Sequence, residues 1–303
     1  MKKIETIDNY KDIPKYNFKK DDLFELLFLS TVWCNMKCLF CCEQWKDKNI
    51  SMEKWFKHIK NIVNKLGVKL IDINWGEPLL RWNEYIFSLI KKIKSELNVA
   101  VSISSNITKL DEELLLNISP YIDIFNVSLH WYSNETNDYL MGKSWVTSKI
   151  KDNIEKIIDV WIETHVTCVV VNENKEELPQ LAEWCDRNGV TSLCMNVMFW
   201  RWKWKEFQLN NQPNSEELEK IRETLSKKNP NLNVYVNHSY IWQCILLRPN
   251  WDLVGVPSNP KSEDDWQIYI WNALDTDINH KWNNYPHKDW HYRYNKKKFY
   301  IYI

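Results

Sequence analysis

From residue 23 to residue 199 short apolar segments alternate with amphipathic ones, and this alternation constrains the chain more than any other feature. "LFELLFLSTV" (23–32) is a short apolar run without helical period, the pattern of a buried strand. "SMEKWFKHIKNIVNKLG" (51–67) has the helical period instead, with Trp55, Ile59, Ile62, Val63 and Leu66 on one side, Ser51 placed to cap it and Gly67 to stop it. The same reading predicts further strands at 68–74, 99–106, 122–130, 163–171 and 190–199, and helices at 83–97, 111–119, 148–160 and 175–189. Six strands alternating with five helices imply an α/β fold with a parallel sheet and right-handed crossovers. So continuous a run favours a curved, barrel-like sheet over a doubly wound one. A cysteine-rich loop follows the first strand, at the end where barrels carry their chemistry. Near residue 206 the pattern breaks, leaving a helix at 214–228 and then short strands and polar loops. The expected division is an N-terminal extension at 1–22, a barrel at 23–205 and a smaller C-terminal α+β segment at 206–303.

Charge and hydropathy narrow the partners. The 40 basic and 40 acidic side chains cancel, which gives no support to a nucleic-acid surface. No apolar run reaches the ~18 residues of a membrane span. The first 22 residues contain no apolar signal region, so a cytoplasmic protein is expected. In that compartment the eight cysteines are not expected to form structural disulfides.

Glycine and tryptophan are out of proportion. The chain has 5 glycines and 18 tryptophans, yet it needs backbone freedom as any chain does. "FWRWKWK" (199–205) makes little sense as three exposed indoles and good sense as "FGRGKGK". One reading is that many of these tryptophans come from UGA codons that the source reads as glycine. The other is that they are real. The positions in question are Trp33, Trp75, Trp131, Trp145, Trp161, Trp200, Trp202, Trp204, Trp251 and Trp271.

"CNMKCLFCC" (34–42) packs four cysteines into nine residues. Cys34, Cys38 and Cys41 have the spacing C-x3-C-x2-C, and three thiolates on one short loop can hold three irons of a [4Fe–4S] cube. The fourth iron is then open to a small molecule. Structural zinc closes four ligands as two separated pairs, and Cys42, adjacent to Cys41, is poorly placed to converge with it. A redox C-x-x-C at Cys38 and Cys41 leaves Cys34 unexplained. Inert core cysteines remain a further alternative.

The stretch "CNMKCLFC", with the aromatic Phe40 before its last cysteine, resembles the signature of the radical S-adenosylmethionine (SAM) family. "NWGEPLL" (74–80) resembles that family's Gly-Gly-Glu-Pro motif, with Trp75 at the first glycine position. "TVWCN", "VSLHW" and "MGKSWVTSKIKDNIEKIIDVWIETHVTCVV" match family segments with the same exchange. The resemblance covers residues 23–200 and implies a partial (β/α)6 barrel. It implies that Cys34, Cys38 and Cys41 ligate a [4Fe–4S] cluster. SAM would bind the open iron, with Gly76, Glu77 and Pro78 around its amino group and Glu77 accepting from the ammonium. Ser104 and Asn106 lie where family members contact the ribose or carboxylate, and ordinary turn chemistry explains them equally well. Ser128 and His130 end the fourth strand and are cavity-facing candidates, with a plain core histidine as the alternative. The resemblance further implies an electron donor such as flavodoxin or ferredoxin and a peptide or small-molecule substrate. It names no catalytic side chain, and no membrane or nucleic-acid partner is expected. The competing reading is a non-catalytic iron–sulfur or zinc-binding module with a degenerate SAM site, for which the written Trp75 argues.

"CILLRPNWDLVGVPSNP" (244–260) resembles the SPASM or twitch appendage of related enzymes, in which a cysteine opens a hairpin and a second cysteine follows. Here Val256, Pro257 and Ser258 stand where the second would be. The expectation is a hairpin over the barrel mouth without an auxiliary cluster. "IWNALDTDINHKW" (270–282) resembles the family's following segment, ending at Trp282.

Overall fold

The computed structural model describes residues 25–30, 33–41, 51–74, 76–81, 84–196, 213–237, 245–247, 252–255, 268–272, 277–278 and 280. The 1–22 extension, Cys42, Trp75, the 199–205 run, Cys244, Trp251 and Trp282 lie outside them.

Each expected strand forms, shortened at its ends. The strands are β1 (Glu25–Leu29), β2 (Leu70–Asn74), β3 (Ala100–Ser105), β4 (Ile124–Ser128), β5 (Glu163–Val169) and β6 (Ser192–Asn196). The expected helices are α1 (Met52–Leu66), α2 (Glu84–Glu96), α3 (Glu112–Ile118), α5 (Thr147–Asp159) and α6 (Leu178–Asn188). One helix was not expected, α4 (Asn134–Met141), between β4 and α5. Beyond β6 come α7 (Ser215–Lys228), β7 (Asn233–Asn237), β8 (Ile245–Leu247), β9 (Asp252–Gly255) and β10 (Ile268–Asn272).

All strands join one sheet in the order β10-β9-β8-β1-β2-β3-β4-β5-β6-β7. β1 to β7 are parallel neighbours in chain order. β8 pairs parallel with β1, and β8, β9 and β10 then pair antiparallel. The outermost strands β10 and β7 do not meet, so the sheet is an open, partial barrel. β7 is a seventh strand beyond the six expected, and with α7 it repeats the βα unit.

Local chemistry accounts for the helix ends. The Ser51 side chain accepts from the Lys54 amide, and Gly67 closes α1 in the left-handed conformation. Trp55, Ile59, Ile62 and Leu66 of α1 are buried as their spacing predicts, while Val63 is half-buried. Strand residues on the helix side (Leu26, Phe28, Ile71, Ile73, Val101, Ile103, Phe125, Val127) form the core with them. Residues on the other face alternate with these and are mostly polar: Asp72, Asn74, Ser102, Ser104, Asn126, Ser128. A helix-covered apolar layer thus backs a polar concave face.

Candidate active site

The cysteine loop runs on from β1 toward the C-terminal ends of its neighbours. Cys34 and Cys41 are exposed, Cys38 is half-buried, and all three thiols are free. The Cys41 amide donates to the Cys38 carbonyl at 3.1 Å, which folds the last two cysteines into one turn. The Met36 amide lies 3.4 Å from the Cys34 Sγ, and the Asn106 Nδ2 lies 3.9 Å from it. Burial raises the Cys34 and Cys38 thiols above their ordinary value, and repulsion from Cys41 raises both further. The three sulfurs therefore sense one another's charge, which a bound cationic centre would relieve. Among the described residues no three His, Cys, Asp or Glu side chains converge on the position of one metal ion. A single zinc ion, with bonds of about 2.3 Å, needs such convergence. A cube of several irons accepts thiolates spread more widely, so the loop fits a cluster better than one ion.

Around the loop stand the ends of β2 and β3. Gly76 turns the chain at φ 62°, and Pro78 opens a short 3-10 turn, Pro78–Arg81. Glu77 is fully buried. Its carboxylate accepts from the Ser105 hydroxyl at 2.6 Å, the Asn106 amide at 2.8 Å and the Leu79 amide at 3.0 Å. Its own amide donates to the Trp33 carbonyl at 2.7 Å. Burial raises the Glu77 carboxyl above its ordinary value, and these three donors oppose the rise. Glu77 thus ties the cysteine loop, the β2 turn and the end of β3 together. A carboxylate has about four acceptor positions, so three protein donors leave room for one more.

Asn106, at the end of β3, is the polar link to the cysteines. Its Nδ2 donates to the Asn35 Oδ1 at 3.0 Å, while its Oδ1 accepts from the Thr108 hydroxyl at 2.6 Å. Asn35 Nδ2 in turn donates to Thr108 at 2.8 Å. Ser104 points elsewhere, into the barrel, where its hydroxyl lies 3.1 Å from the Asp72 Oδ2. Asp72 also accepts from Ser102 at 2.6 Å and from Asn74 at 2.8 Å. Ser104 and Asn106, neighbours on one strand end, therefore serve two different networks. The strands hold a second polar pair further round, Glu163 and His165, 2.7 Å apart. Ser128 is half-buried at the end of β4.

His130 belongs to the core. Its Nδ1 accepts from the Val169 amide at 3.1 Å, and its ring meets Phe40 edge-on at 4.4 Å between centroids. Burial pushes its pKa down to about 3, so the ring is neutral. It supports the cysteine loop from beneath through Phe40.

Asn35, Thr108, Asp72, Ser102 and Asn126 were not singled out from the sequence. The signal was present for three of them, because "LIDIN", "AVSISS" and "IFNVS" place polar residues at alternate positions of otherwise apolar strands. Asn35 and Thr108 sit in loops and carry no such mark.

The tryptophans in glycine-like positions behave oddly where they are described. Trp145 and Trp161 have φ values of 64° and 65° and are 88% and 87% exposed. Trp131 is buried against Leu140 and Val171, and its indole N–H has no hydrogen-bond partner. Trp33 is exposed beside Cys34.

A family profile described as the radical SAM superfamily matches residues 28–185. The chain is 23% identical over 211 residues to a GTP 3',8-cyclase of Aliarcobacter butzleri, covering 65% of this chain and 61% of the relative. It is 28% identical over 167 residues to the GTP 3',8-cyclase of Aquifex aeolicus, covering 52% and 51%. The chain thus spans between half and two thirds of the length of these curated relatives. Among solved structures, Streptococcus suis SuiB bound to S-adenosylmethionine superposes with a TM-score of 0.71 at 16% identity, over 91% of this chain and 68% of that one. The enzyme anSMEcpe with bound AdoMet superposes with a TM-score of 0.66 at 15% identity, over 89% and 82%. At those identities the likeness is one of fold.

Proposed function

Because the chain belongs to the radical SAM superfamily, whose enzymes use a [4Fe–4S] cluster and SAM, we propose that it cleaves SAM reductively and modifies a peptide or small metabolite. The observation that supports this most directly is the placement of Cys34, Cys38 and Cys41 on one loop over the ends of β2 and β3, with Asn106 reaching both Cys34 and Asn35. When bound, the cluster and SAM supply a 5'-deoxyadenosyl radical able to take a hydrogen atom from a substrate.

The chain's own share is positioning and shielding. The three thiolates hold the cluster at the barrel mouth. Gly76 and Pro78 shape the turn beside it, and Glu77 keeps one acceptor position open to the SAM ammonium while locking β2 to β3. Asn106 fixes Asn35 within the cysteine loop. Ser104 belongs to the Asp72 network of the concave face, so its place is with the substrate rather than with SAM. Ser128 closes β4 on that same face. The electron comes from a donor such as flavodoxin or ferredoxin, in the cytoplasm.

For the substrate, the SuiB fold likeness takes in 91% of this chain, and one SuiB structure carries a precursor peptide. The cyclase alignments stop at 65% or less, which supports a peptide over a nucleotide. Anaerobic reconstitution with iron and sulfide, then addition of SAM and a low-potential reductant, is expected to release 5'-deoxyadenosine. No 5'-deoxyadenosine from a fully reconstituted cluster would favour the non-catalytic module. Product formed from GTP would favour the cyclase reading.

A further inference from the structure

The unexpected helix α4 touches the cysteine loop directly. The Lys37 amide donates to the Met141 carbonyl at 3.1 Å, and the Leu39 amide donates to the Leu140 carbonyl at 2.8 Å. These two bonds flank Cys38, so the backbone on both sides of that residue is tied to the last turn of α4. The helix then ends at Gly142, at φ 64°. A Cβ on Gly142 would lie 2.6 Å from the Lys37 carbonyl oxygen, closer than such atoms approach one another. The loop and the helix end are therefore in backbone contact with no room for a side chain.

α4 is itself anchored. The Asn137 side chain is fully buried, and its Oδ1 accepts from the His130 and Trp131 amides at 3.0 and 3.2 Å. Its Nδ2 donates to the Thr147 hydroxyl at 2.8 Å. That hydroxyl donates at 2.6 Å to Asp138, which also accepts from the Trp145, Val146 and Thr147 amides. The end of β4, the start of α5 and the whole of α4 thus form one hydrogen-bonded block. Leu140 adds an apolar contact to Leu39 and Phe40.

We propose that α4 and Gly142 are a positioning device for Cys38, holding the cysteine loop at the distance from β4 that its cluster requires. This rests on the reading that the loop carries a cluster. The device acts through the backbone, by two amide bonds and one close approach that only glycine permits. Thr147 and Asn137 act at one remove, by keeping α4 in register with β4.

Gly142→Ala tests it, with Gly189→Ala as its match. Gly189 ends α6 at φ 80°, so alanine costs it similar backbone strain, but its Cβ would meet only the Ile158 Cγ2 at 3.7 Å, an ordinary contact. Both full-length variants and the parent are reconstituted anaerobically. Iron per chain, the electron paramagnetic resonance of the reduced cluster and its loss to a chelator are then followed beside thermal unfolding. The expected result is comparable loss of thermal stability in both variants. Chelator-driven cluster loss should be roughly tenfold faster in Gly142→Ala alone, as when a group orienting a metal ligand is removed. Equal cluster retention in the two would overturn the proposal. If the parent takes up no cluster, the functional reading fails instead. Should Gly142→Ala not fold, Thr147→Val serves in its place: faster cluster loss, restored by Thr147→Ser, supports the device, and unchanged loss refutes it.

Discussion

Trp161 ends α5 in the same backbone motif with which Gly189 ends α6. The Trp161 and Ile162 amides donate to the Ile158 and Ile157 carbonyls, as the Gly189 and Val190 amides donate to the Asp186 and Cys185 carbonyls. Both residues are left-handed, with φ 65° and 80°. Helices end this way on glycine because a Cβ at that φ meets the neighbouring backbone. An indole that is 87% exposed gives no packing in return. The recoded-glycine reading of the sequence therefore predicts that Trp161→Gly stabilises the protein by about 1–3 kcal/mol, the usual cost of a strained left-handed residue. Trp145→Gly, at φ 64°, is expected to do the same. Thermal unfolding checks the sign, and the mass of the protein from its native source checks the codon. A native mass equal to that of the written sequence, with both changes neutral or harmful, would show that the tryptophans are genuine.

The cysteine ligands have a simple test. Cys34→Ala, Cys38→Ala and Cys41→Ala should each lose the visible iron–sulfur absorption or leave a damaged cluster, since three thiolates are the smallest set that holds the cube. Cys42→Ala should retain it. Retention in Cys41→Ala with loss in Cys42→Ala would reassign the third ligand.

Glu77→Gln isolates the tie between β2 and β3. Glutamine keeps one acceptor but turns an NH2 toward either the Asn106 amide or the Ser105 hydroxyl and Leu79 amide. Leaving a buried donor unpaired costs about 1–3 kcal/mol. Unfolding of the cluster-free protein should show that loss, and SAM affinity of the reconstituted protein should fall with it. A fall in SAM affinity with unchanged stability would make Glu77 a ligand contact alone.

Much of this frame was legible from periodicity. Six strands and their helices follow from apolar spacing, and Ser51 and Gly67 bound α1 as their chemistry dictates. α4 was not legible, because "NETNDYLM" is short and largely polar and its stability comes from Asn137 and Asp138 bonding to distant backbone. The cysteines announced themselves by spacing. Asn35 and Thr108 did not, since their pairing with Asn106 joins segments more than 70 residues apart. β7 was hidden because the polar "NVYVN" that follows α7 lacks the apolar run of the earlier strands. Ser104 and Asn106 read alike in the sequence, and only the alternation of the strand sends one into the barrel and the other toward the cysteines.

His130 gives the fold a pH dependence. Its pKa is about 3 in the folded chain against an ordinary 6.5, because burial disfavours the imidazolium. Between those values the unfolded chain takes up a proton that the folded chain does not. The contribution is thus complete above pH 6.5 and is lost as the pH falls toward 3. The slope attributable to this residue approaches about 1.4 kcal/mol per pH unit. Denaturant unfolding of the cluster-free protein at several pH values measures it. His130→Gln, which keeps an acceptor for the Val169 amide, should flatten the profile over that window. Parallel profiles for the two proteins would mean that the imidazole titrates normally.

Iron content tests the C-terminal segment. Cys168, Cys185 and Cys194 are buried on β5, α6 and β6. The Cys168 Sγ donates to the His130 carbonyl at 3.0 Å, and burial holds the Cys168 and Cys185 thiols above their ordinary value. Such thiols pack as small apolar groups and resist the deprotonation that iron ligation needs. Only Cys244 is left beyond β6 to serve a second cluster, and one thiol cannot hold a cube. Reconstituted protein should therefore contain about four irons per chain, the content of one cube. Cys244→Ser and Cys168→Ser should leave that figure unchanged while Cys38→Ala abolishes it. Iron near twice that amount, halved by Cys244→Ser, would establish an auxiliary cluster and a different role for the β8–β9 hairpin.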